Sequence, residues 1–528
     1  MSDTVATGHD WAGRGKPPRP PDRAAAMPGG LRAALLAGRR GSAEQGGFGG
    51  ALADFMETDA GSLDLWFGSD AAATLRRHPE RLRGLIERDV VVIDRLLSTQ
   101  LDAVLHQPRL QRLEGSWRGL AWLVARFAPD APLKVRLLTA TWRELERDVT
   151  RTTEFDQSQL FRKIYENEFG QAGGEPFGLL LVDHEVRHRP ERRAPGAAAP
   201  VDDLIVVSAL AEIAAAAFVP TVLAASPALL GVDRFEDLAL SQDVTAALDG
   251  HDHARWRAMT RREEARFLCA TLPRILARPP WSRELGSVFY TEDTPRSAER
   301  VWFVAGYAFA ATVGRAFLSH GWPADVRGVG TDRVGGGLVL DLPDEHFVFG
   351  AETRWARASI DLALTDRQER DLVAAGLMPL NTLPYGDAAF ASVRSIQANA
   401  SEAPGRDPTP FQANRRISAH VNAMLCVSRF AHYVKVLGRE LTGSLTDATA
   451  IERRLGQWLA GYTNLTAASS ADSRARYPLV SSDVHVREMP GRPGAYGCVI
   501  HLQPYHQLDD VSTTFRLVTG IGSSGTAA

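Results

Sequence analysis

Cysteine is scarce in this sequence, and the cysteines present are too scattered to organise a fold. Cys269, Cys426 and Cys498 lie far apart and follow no metal-ligand spacing. This pattern argues against a disulfide framework and against a zinc site, so we expect reduced thiols in a cytoplasmic protein.

Long apolar runs are lacking as well. The most apolar stretch, residues 204–231, is interrupted by Glu212 and Pro220, which favours a buried helix followed by a strand over a membrane span. The first residues contain no continuous apolar segment of the kind that a signal peptide needs. Both absences predict a protein that is not inserted into a membrane.

Neither sign of charge dominates. The formal net charge is −3 and the pI is about 6.6, so nothing draws the chain as a whole to nucleic acid or to an anionic membrane. Lysine is nearly absent, with four residues at positions 16, 134, 163 and 435, and arginine supplies the other basic side chains. Arginine suits interfacial ion pairs, although GC-rich coding alone also accounts for this bias.

The usual fingerprints of catalysis are missing too. The glycines of 328–337 lead into a strand and have no lysine nearby, unlike a phosphate-binding loop. His251 and His253 lack a third ligand with helpful spacing, and Ser428 and His432 lack an orienting acid and an oxyanion loop. We therefore expect no catalytic, cofactor-binding or metal-binding residues, and no enzyme.

The length of 528 residues exceeds what one hydrophobic core usually holds. Residues 1–60, rich in proline, glycine and arginine, are predicted to form a disordered leader that contains a possible strand-exchange linker. We divide the remainder into an N-terminal α/β domain (61–235), a middle mixed α/β domain (236–410) and a C-terminal unit of helices and strands (411–528).

Periodicity in the N-terminal domain predicts alternating helices and strands. Apolar residues at spacings of three, four and seven predict an amphipathic helix over 81–104. Residues 133–138 alternate like a strand, and residues 142–165 read as one or two helices. A strand at 179–183, a helix at 201–217 and a strand at 219–225 follow. This order predicts an α/β layer around a mostly parallel sheet.

The second half is predicted to be more helical until its end. Helices are expected at 256–278, at 300–317 and at 417–441, and another starts at Leu445. Near the C-terminus alternation returns, and it predicts three strands, at 479–486, 496–502 and 511–518. The predicted fold class is thus mixed α/β with a small C-terminal β unit.

The most informative stretch is 154–170, which predicts an amphipathic helix stopped by the glycines at 173 and 174. It places no nucleophile beside a base, so its chemistry is packing and docking. In a second stretch, Trp117 is expected to start a helix and to anchor the core.

Together these segments resemble the large sheath subunit of the bacterial type VI secretion system, the TssC/VipB/ImpC family. The similarity covers about residues 64–520. Its motifs are Leu113–Leu120, residues 155–176 and Ser428–Lys435, whereas residues 278–281 and 302–304 depart from the family pattern. The family-motif residues, expected to serve packing, are Trp117, Arg118, Gly119, Phe155, Asp156, Gln157, Ser158, Tyr165, Gly173, Gly174, Glu175, Pro176, Arg429, Phe430, His432 and Tyr433.

The resemblance implies a phage-tail-sheath-like fold and a mechanical role in the bacterial cytoplasm. In that family the large subunit pairs with a small subunit (TssB/VipA-like) and forms a helical polymer of six-fold rings around an Hcp-like inner tube. A baseplate and a ClpV-like AAA+ unfoldase, reached through the small subunit, are further implied partners. The alternatives are a sheath-like adaptor that does not contract and an α/β enzyme of unknown type.

The resemblance also implies that strands from neighbouring subunits complete sheets, with main-chain hydrogen bonds at open edges. Candidates are the three C-terminal strands and the region of residues 50–70. Arg453 and Arg454 form a charged face that is expected to contact the inner tube. The assembly candidates are Val484, Val486, Tyr496, Ile500, Phe515, Leu517, Arg453 and Arg454.

Overall fold

The chain forms two compact units in a computed structural model. One unit comprises Met1–His106 with Pro280–Asp293, and the other comprises Gln107–Pro279 with Thr294–Ala528. The domain boundaries at 60, 235 and 410 stay a prediction. The structure describes residues 30–38, 52, 55–56, 61–171, 173–191, 199–285, 288–329, 334–349, 353–383, 386–398, 419–441, 447–464, 471–489, 496–504 and 515–521.

Helices occur in both units. The α-helices span Gly30–Leu36, Ser62–Phe67, Ser69–Arg76, Pro79–Leu105, Pro108–Val124, Trp142–Thr150, Gln159–Phe161, Asp203–Ala217, Ala254–Thr260, Gly306–His320, Asp366–Ala374, Val421–Leu441, Ala448–Ala460 and Ala471–Arg476. A π-helix spans Arg162–Gly170. Short 3₁₀ turns lie at Phe155–Gln157, Pro227–Leu230, Phe235–Leu240, Ala246–Asp249, His251–His253, Glu264–Phe267 and Ser297–Glu299.

The strands are short except near the C-terminus. They are β1 Leu180–Val186, β2 Thr221–Ala225, β3 Leu268–Leu272, β4 Arg274–Leu276, β5 Ser282–Leu285, β6 Val288–Thr291, β7 Trp302–Val304, β8 Leu338–Val339, β9 Glu345–Phe349, β10 Thr353–Arg357, β11 Met378–Pro379, β12 Asn381–Thr382, β13 Ala388–Ala389, β14 Leu479–Glu488, β15 Tyr496–Pro504 and β16 Phe515–Ile521.

The first unit is built on the long helix Pro79–Leu105, which confirms the helix predicted over 81–104. Arg32 donates to both oxygens of Asp89 at 2.7 and 2.8 Å, and the Trp66 indole donates to the same carboxylate at 2.9 Å. The hydrogen bond from Arg32 lowers the pKa of Asp89. The hairpin β5–β6 joins this helix through the Tyr290 hydroxyl, which donates to Asp102 at 2.7 Å.

The prediction of a disordered leader over residues 1–60 was wrong for residues 30–36. Residues 30–36 form a helix, with Leu31 and Ala34 buried, because the Arg32–Asp89 ion pair and apolar packing offset its chain entropy. The region proposed as a strand-exchange linker is helical over Ser62–Phe67. Residues 1–29, 39–51, 53–54 and 57–60 lie outside the described residues.

The second unit contains a parallel sheet in the order β1-β2-β3-β11. The helix Asp203–Ala217, capped by the Asp202 side chain on the Leu204 amide, connects β1 to β2. Alternate residues of β2 face two different cores: Leu223 packs with this helix, and Val222 packs on the side of Gly306–His320. The predicted order of strand, helix and strand over 179–225 and the mixed α/β fold class are confirmed. The strand predicted at 133–138 was wrong, because residues 134–140 are exposed and pair with no other strand in the described part of the chain.

Two helix predictions in the middle of the chain were wrong. The helix expected over 256–278 covers only Ala254–Thr260, and β3 and β4 follow it. β3 is buried on both faces, and strands inside a parallel sheet are apolar throughout, so their sequence mimics that of a buried helix. The helix expected from residue 300 begins at Gly306, after β7.

The C-terminal part confirms the three predicted strands. β14, β15 and β16 form an antiparallel sheet in which Val484 faces Ile500 and Ile500 faces Leu517. The helix Ala448–Ala460 packs on this sheet through Ile451, Leu455 and Leu459. The helix Val421–Leu441 confirms the helix predicted at 417–441, whose first residues lie outside the described ranges.

Candidate assembly surfaces

The segment at 155–170 starts with a tightly capped turn. The Ser158 hydroxyl accepts the Phe161 amide at 3.1 Å, and the Asp148 carboxylate accepts the amides of Gln159 and Leu160 at 3.0 and 2.9 Å. Helical winding then continues as the π-helix Arg162–Gly170, a geometry that is uncommon and often marks functional positions. Asp156 and Gln157 are exposed beside this turn.

A row of aromatic rings joins this segment to the motif Ser428–Lys435, which lies almost 260 residues later in the chain. Phe161 lies 5.6 Å from Phe155 and stacks on Tyr165 at 4.8 Å, and Tyr165 lies 5.2 Å from Phe169. The Phe169 ring meets the edge of His432 at 5.5 Å. The two motifs therefore form one packed element, and such ring pairs each add about 1 kcal/mol beyond buried area.

The motif Ser428–Lys435 lies on the helix Val421–Leu441 and is largely buried. The His432 ring nitrogen Nε2 lies 3.0 Å from the Ala217 carbonyl oxygen, and burial lowers the pKa of His432 to about 4. Phe430 stacks on Trp322 at 4.2 Å, and the Arg429 guanidinium lies 4.7 Å from the Tyr433 ring centre. His432 is therefore neutral at pH 7, and its ring packs inside this unit.

The glycine turn after the π-helix connects three parts of the unit. Gly173 has a φ of +79°, a conformation that side chains disfavour. Glu175 accepts Arg136 at 2.8 Å and also pairs with Lys134. The Pro176 carbonyl accepts Arg429 at 3.4 Å. Through these contacts, Glu175 holds the segment at 133–140 to the glycine turn, and Pro176 holds the motif Ser428–Lys435 to the same turn.

The motif at 113–120 has a packed face and an open face. On the packed face, a Cβ added to Gly115 would lie 2.0 Å from the Trp302 carbonyl oxygen, and one added to Gly119 would lie 2.7 Å from the Tyr307 ring. Glu114 accepts both Arg118 and Arg278 at 2.7 Å. The glycines allow this close approach, and Glu114 neutralises the buried Arg278.

Trp117 corrects our expectation of a core anchor at a helix start. It lies in the middle of the helix Pro108–Val124 and exposes 57% of its surface. Leu113 and Val124 are also exposed on the same side of the helix, since these three positions project within about 40° of one another at 3.6 residues per turn. This open apolar stripe is a candidate contact surface.

The C-terminal assembly candidates occupy two different environments. The side chains of Val484, Val486 and Ile500 are buried in the core of this chain, and Tyr496 is half-buried. Their side chains therefore support the sheet from within, and involvement of the strand edges in assembly stays a prediction. Arg453 and Arg454 are exposed on the helix Ala448–Ala460. Phe515 and Leu517 lie in β16, whose backbone alone is described.

A groove lies open on the surface of the second unit. An open groove of about 550 Å³ lies between Glu154–Phe155, the helix Asp203–Ala217 and the helix Ala254–Thr260. Among the described residues, no three His, Cys, Asp or Glu side chains are grouped to hold a metal ion. No described helix is both long and apolar enough to cross a membrane.

The cysteines fit a packing role. All three are buried, and burial raises the pKa of Cys269 and Cys426 to about 12 and that of Cys498 to about 11. Thiols in such surroundings are unreactive.

Sequence reasoning missed Gly115 and the exposed stripe on its helix. The signal was present, because Gly115 and Gly119 are four residues apart and therefore share a helix face. It also missed the role of Lys134 and Arg136, whose partner Glu175 is remote in sequence.

Comparison with known proteins gives a consistent picture. A family model described as EvpB/VC_A0108, tail sheath N-terminal domain, matches residues 87–397, and one described as EvpB/VC_A0108, tail sheath gpW/gp25-like domain, matches residues 411–521. The chain is 31% identical over 471 residues to the type VI secretion system sheath protein TssC1 of Pseudomonas aeruginosa, covering 86% of this chain and 91% of that protein.

Two solved structures are similar at a lower level. A sheath tail protein from Desulfitobacterium hafniense has a TM-score of 0.28 at 9% sequence identity. The alignment covers 60% of this chain and 62% of that protein. A chain of the anti-feeding prophage baseplate has a TM-score of 0.32 at 9% sequence identity. The alignment covers 73% of this chain and 83% of that baseplate chain. At these scores the likeness adds nothing to the fold described above. The two family models and the identity to TssC1 show that the chain belongs to the TssC/VipB family of large sheath subunits of the type VI secretion system.

Proposed function

We propose that this chain is the structural large subunit of a contractile sheath in the bacterial cytoplasm. It pairs with a small subunit of the TssB/VipA type, and the pairs stack as six-fold rings into a helical polymer around an Hcp-like inner tube. A baseplate at one end and a ClpV-like unfoldase acting through the small subunit complete the set of partners. The observation that carries this proposal is an open apolar stripe on the helix Pro79–Leu105 in a chain of this family.

The stripe runs along most of that helix. Ile86, Val90, Leu97, Leu101 and Val104 each expose more than a third of their surface, and at 3.6 residues per turn they project within about 60° of one another. Its length of about 27 Å, at about 1.5 Å per residue, is enough for a partner helix to pack along it. A monomeric protein rarely leaves such a continuous stripe open to water, so the stripe supports assembly.

Further contacts are proposed at the strands and at the basic face. Strand exchange at the outer edges of β14 and β16 adds main-chain hydrogen bonds between subunits. Arg453 and Arg454 contact the inner tube. Energy for contraction is stored in the lattice, since interfaces with two packings differ by roughly several kcal/mol per subunit.

Electron microscopy of the chain co-expressed with its small subunit tests the proposal. Long tubules with cogwheel-shaped cross-sections are expected, and charge reversal at Arg453 and Arg454 should abolish their assembly on inner tubes. Discrete particles from which the small subunit is absent would overturn the sheath function. Unchanged assembly of the charge-reversed variant would overturn the tube contact alone.

A further inference from the structure

The helix Pro108–Val124 leaves an apolar stripe open to water. Leu113, Trp117 and Val124 expose 55%, 57% and 49% of their surface. At about 1.5 Å per residue they extend over about 16 Å of the helix. Tryptophan is enriched among the residues that anchor interfaces, where its ring fills a pocket of the partner. A tryptophan that projects from an apolar stripe therefore suits a recess on another molecule.

A recess of suitable size lies elsewhere in the same unit. It is the groove of about 550 Å³ between the helices Asp203–Ala217 and Ala254–Thr260. Its lining includes Leu204 and Met259, which are buried, and Ile205, which exposes 40% of its surface. A groove of this volume and lining has room for a tryptophan ring and the apolar side chains beside it.

The stripe and the groove lie on opposite sides of the parallel sheet. Leu123, on the helix of the stripe, packs in the same core as Val222 of β2. Leu204 and Met259 of the groove pack in the core that contains Leu223, the next residue of β2. Because successive side chains of a strand point to opposite faces of the sheet, the sheet separates the two features, and they do not meet within one copy.

The basic side chains of the groove are already neutralised. Arg255 lies 2.8 Å from Asp202. Arg262 pairs with Glu212. Glu154 also lines the groove, and it is exposed and makes no ion pair within the described part of the chain. The groove therefore combines an apolar lining with a free negative charge at its rim.

The charges that border the stripe have the opposite sign. Arg109 and Arg112 are exposed, and neither makes an ion pair with any residue that the structure describes. Next to Glu154 at the groove, Asp156 is exposed in the same way and has no basic partner among the described residues. Two free cations beside the stripe thus match two free carboxylates beside the groove, and such complementarity sets the register of a contact.

We propose that the stripe of one copy of this chain enters the groove of the next copy in the sheath. This inference rests on the proposed function, and it names a contact between large subunits. The two surfaces differ and lie on opposite sides of the sheet, so the contact is heterologous and repeats from copy to copy, as a helical polymer requires. Three side chains cover less than the roughly 800 Å² per partner of a stable interface, so the contact forms where other contacts already hold the copies together.

Cysteine cross-linking in purified tubules tests the contact. Two differently tagged full-length chains, one with Trp117→Cys and the other with Ile205→Cys, are co-expressed with the small subunit. The three natural cysteines are buried, so a short thiol cross-linker should join the two tagged chains, and neither variant should form this adduct alone. Leu240→Cys, at a position that is 94% exposed, replaces Trp117→Cys in the matched control and should give no adduct.

The outcomes separate this inference from the proposed function. Intact tubules without the adduct, or with Trp117→Cys joined only to the small subunit, would overturn the inference and leave the sheath function standing. Failure of the wild-type subunits to form any tubules would overturn the proposed function, and the inference would fall with it.

Exchange of charges tests the same contact without a cross-linker. Arg109→Glu with Arg112→Glu places acids against the acidic rim and should reduce tubules at least about tenfold by electron microscopy, because like charges at an interface repel. Adding Glu154→Arg and Asp156→Arg to the same chain should restore most of the tubules. Arg109→Lys with Arg112→Lys keeps the charge and is the matched control. Unchanged tubules with the first pair, or no recovery with all four substitutions, would contradict the inference.

Discussion

β15 and the segment at 133–140 carry the same alternation of apolar and polar residues and end in different states. In β15, Cys498, Ile500 and Leu502 are completely buried, and ladders to β14 and β16 flank the strand on both sides. Residues 133–140 have no ladder within the described chain, and Val135 and Leu137 remain exposed.

Alternation of apolar and polar residues thus indicates that a segment is able to pair, and it does not indicate that a pairing strand is present. A strand gains stability from cross-strand neighbours and burial, so the same pattern is ordered where the chain supplies both and open where it does not. The segment at 133–140 therefore has a sequence that is able to form a strand but no pairing strand among the described residues.

An aspartate introduced at one position in each region gives the strongest test of the contrast between β15 and the segment at 133–140. Ile500→Asp buries an unpaired charge between two ladders and should lower the free energy of unfolding by about 4 kcal/mol. Leu137→Asp should change it by less than about 0.5 kcal/mol, because that side chain is exposed. Urea denaturation of the full-length chain measures both, and similar losses for the two variants would refute the contrast.

The helix Pro108–Val124 offers the same contrast between a packed face and an open face. Gly115→Ala places a methyl group against the Trp302 carbonyl and should cost about 3 kcal/mol, as overpacking does. Gly84→Ala is the matched control, since an added Cβ there meets nothing within 4 Å, and it should be neutral or slightly stabilising. Urea denaturation measures the free energy of unfolding of both variants. An unchanged free energy of unfolding for Gly115→Ala would contradict the close packing.

Acid should weaken the buried core through His432. Its pKa is about 4 in the folded protein and about 6.5 when unfolded. The unfolded state therefore binds the proton first, and stability is complete above about pH 6.5 and is lost as the pH falls toward about 4. From pH 7 to pH 5 the loss attributable to His432 is about 2 kcal/mol. His432→Gln should flatten the profile by that amount, and an unchanged slope would count against this assignment.

Only a small effect on stability is expected at Trp117. Trp117→Ala removes a side chain that is mostly exposed and should change the free energy of unfolding by less than about 1 kcal/mol. If the stripe of Leu113, Trp117 and Val124 is a contact surface, the same variant should clearly reduce tubule formation by electron microscopy. Large destabilisation with normal tubules would reverse this interpretation.

Local patterns predicted much of the fold. The helix Pro79–Leu105, the β-α-β order around Asp203–Ala217 and the three C-terminal strands all follow from periodicity. β3 was mistaken for a helix because a strand buried on both faces lacks alternation. The motif residues were named from the sequence, but their contacts were not, as the row from Phe161 to His432 joins remote segments.

Residue types and short-range spacing were enough to indicate the family, the lack of recognisable catalytic motifs and the positions where strands are able to form. The tertiary structure decided that Ile500 is enclosed and that Val135 and Leu137 are left open. It also decided that Gly115 lies against a backbone carbonyl and Trp117 faces outward. Burial and pairing depend on which remote segments meet, and neighbouring residues in a sequence carry little information about that.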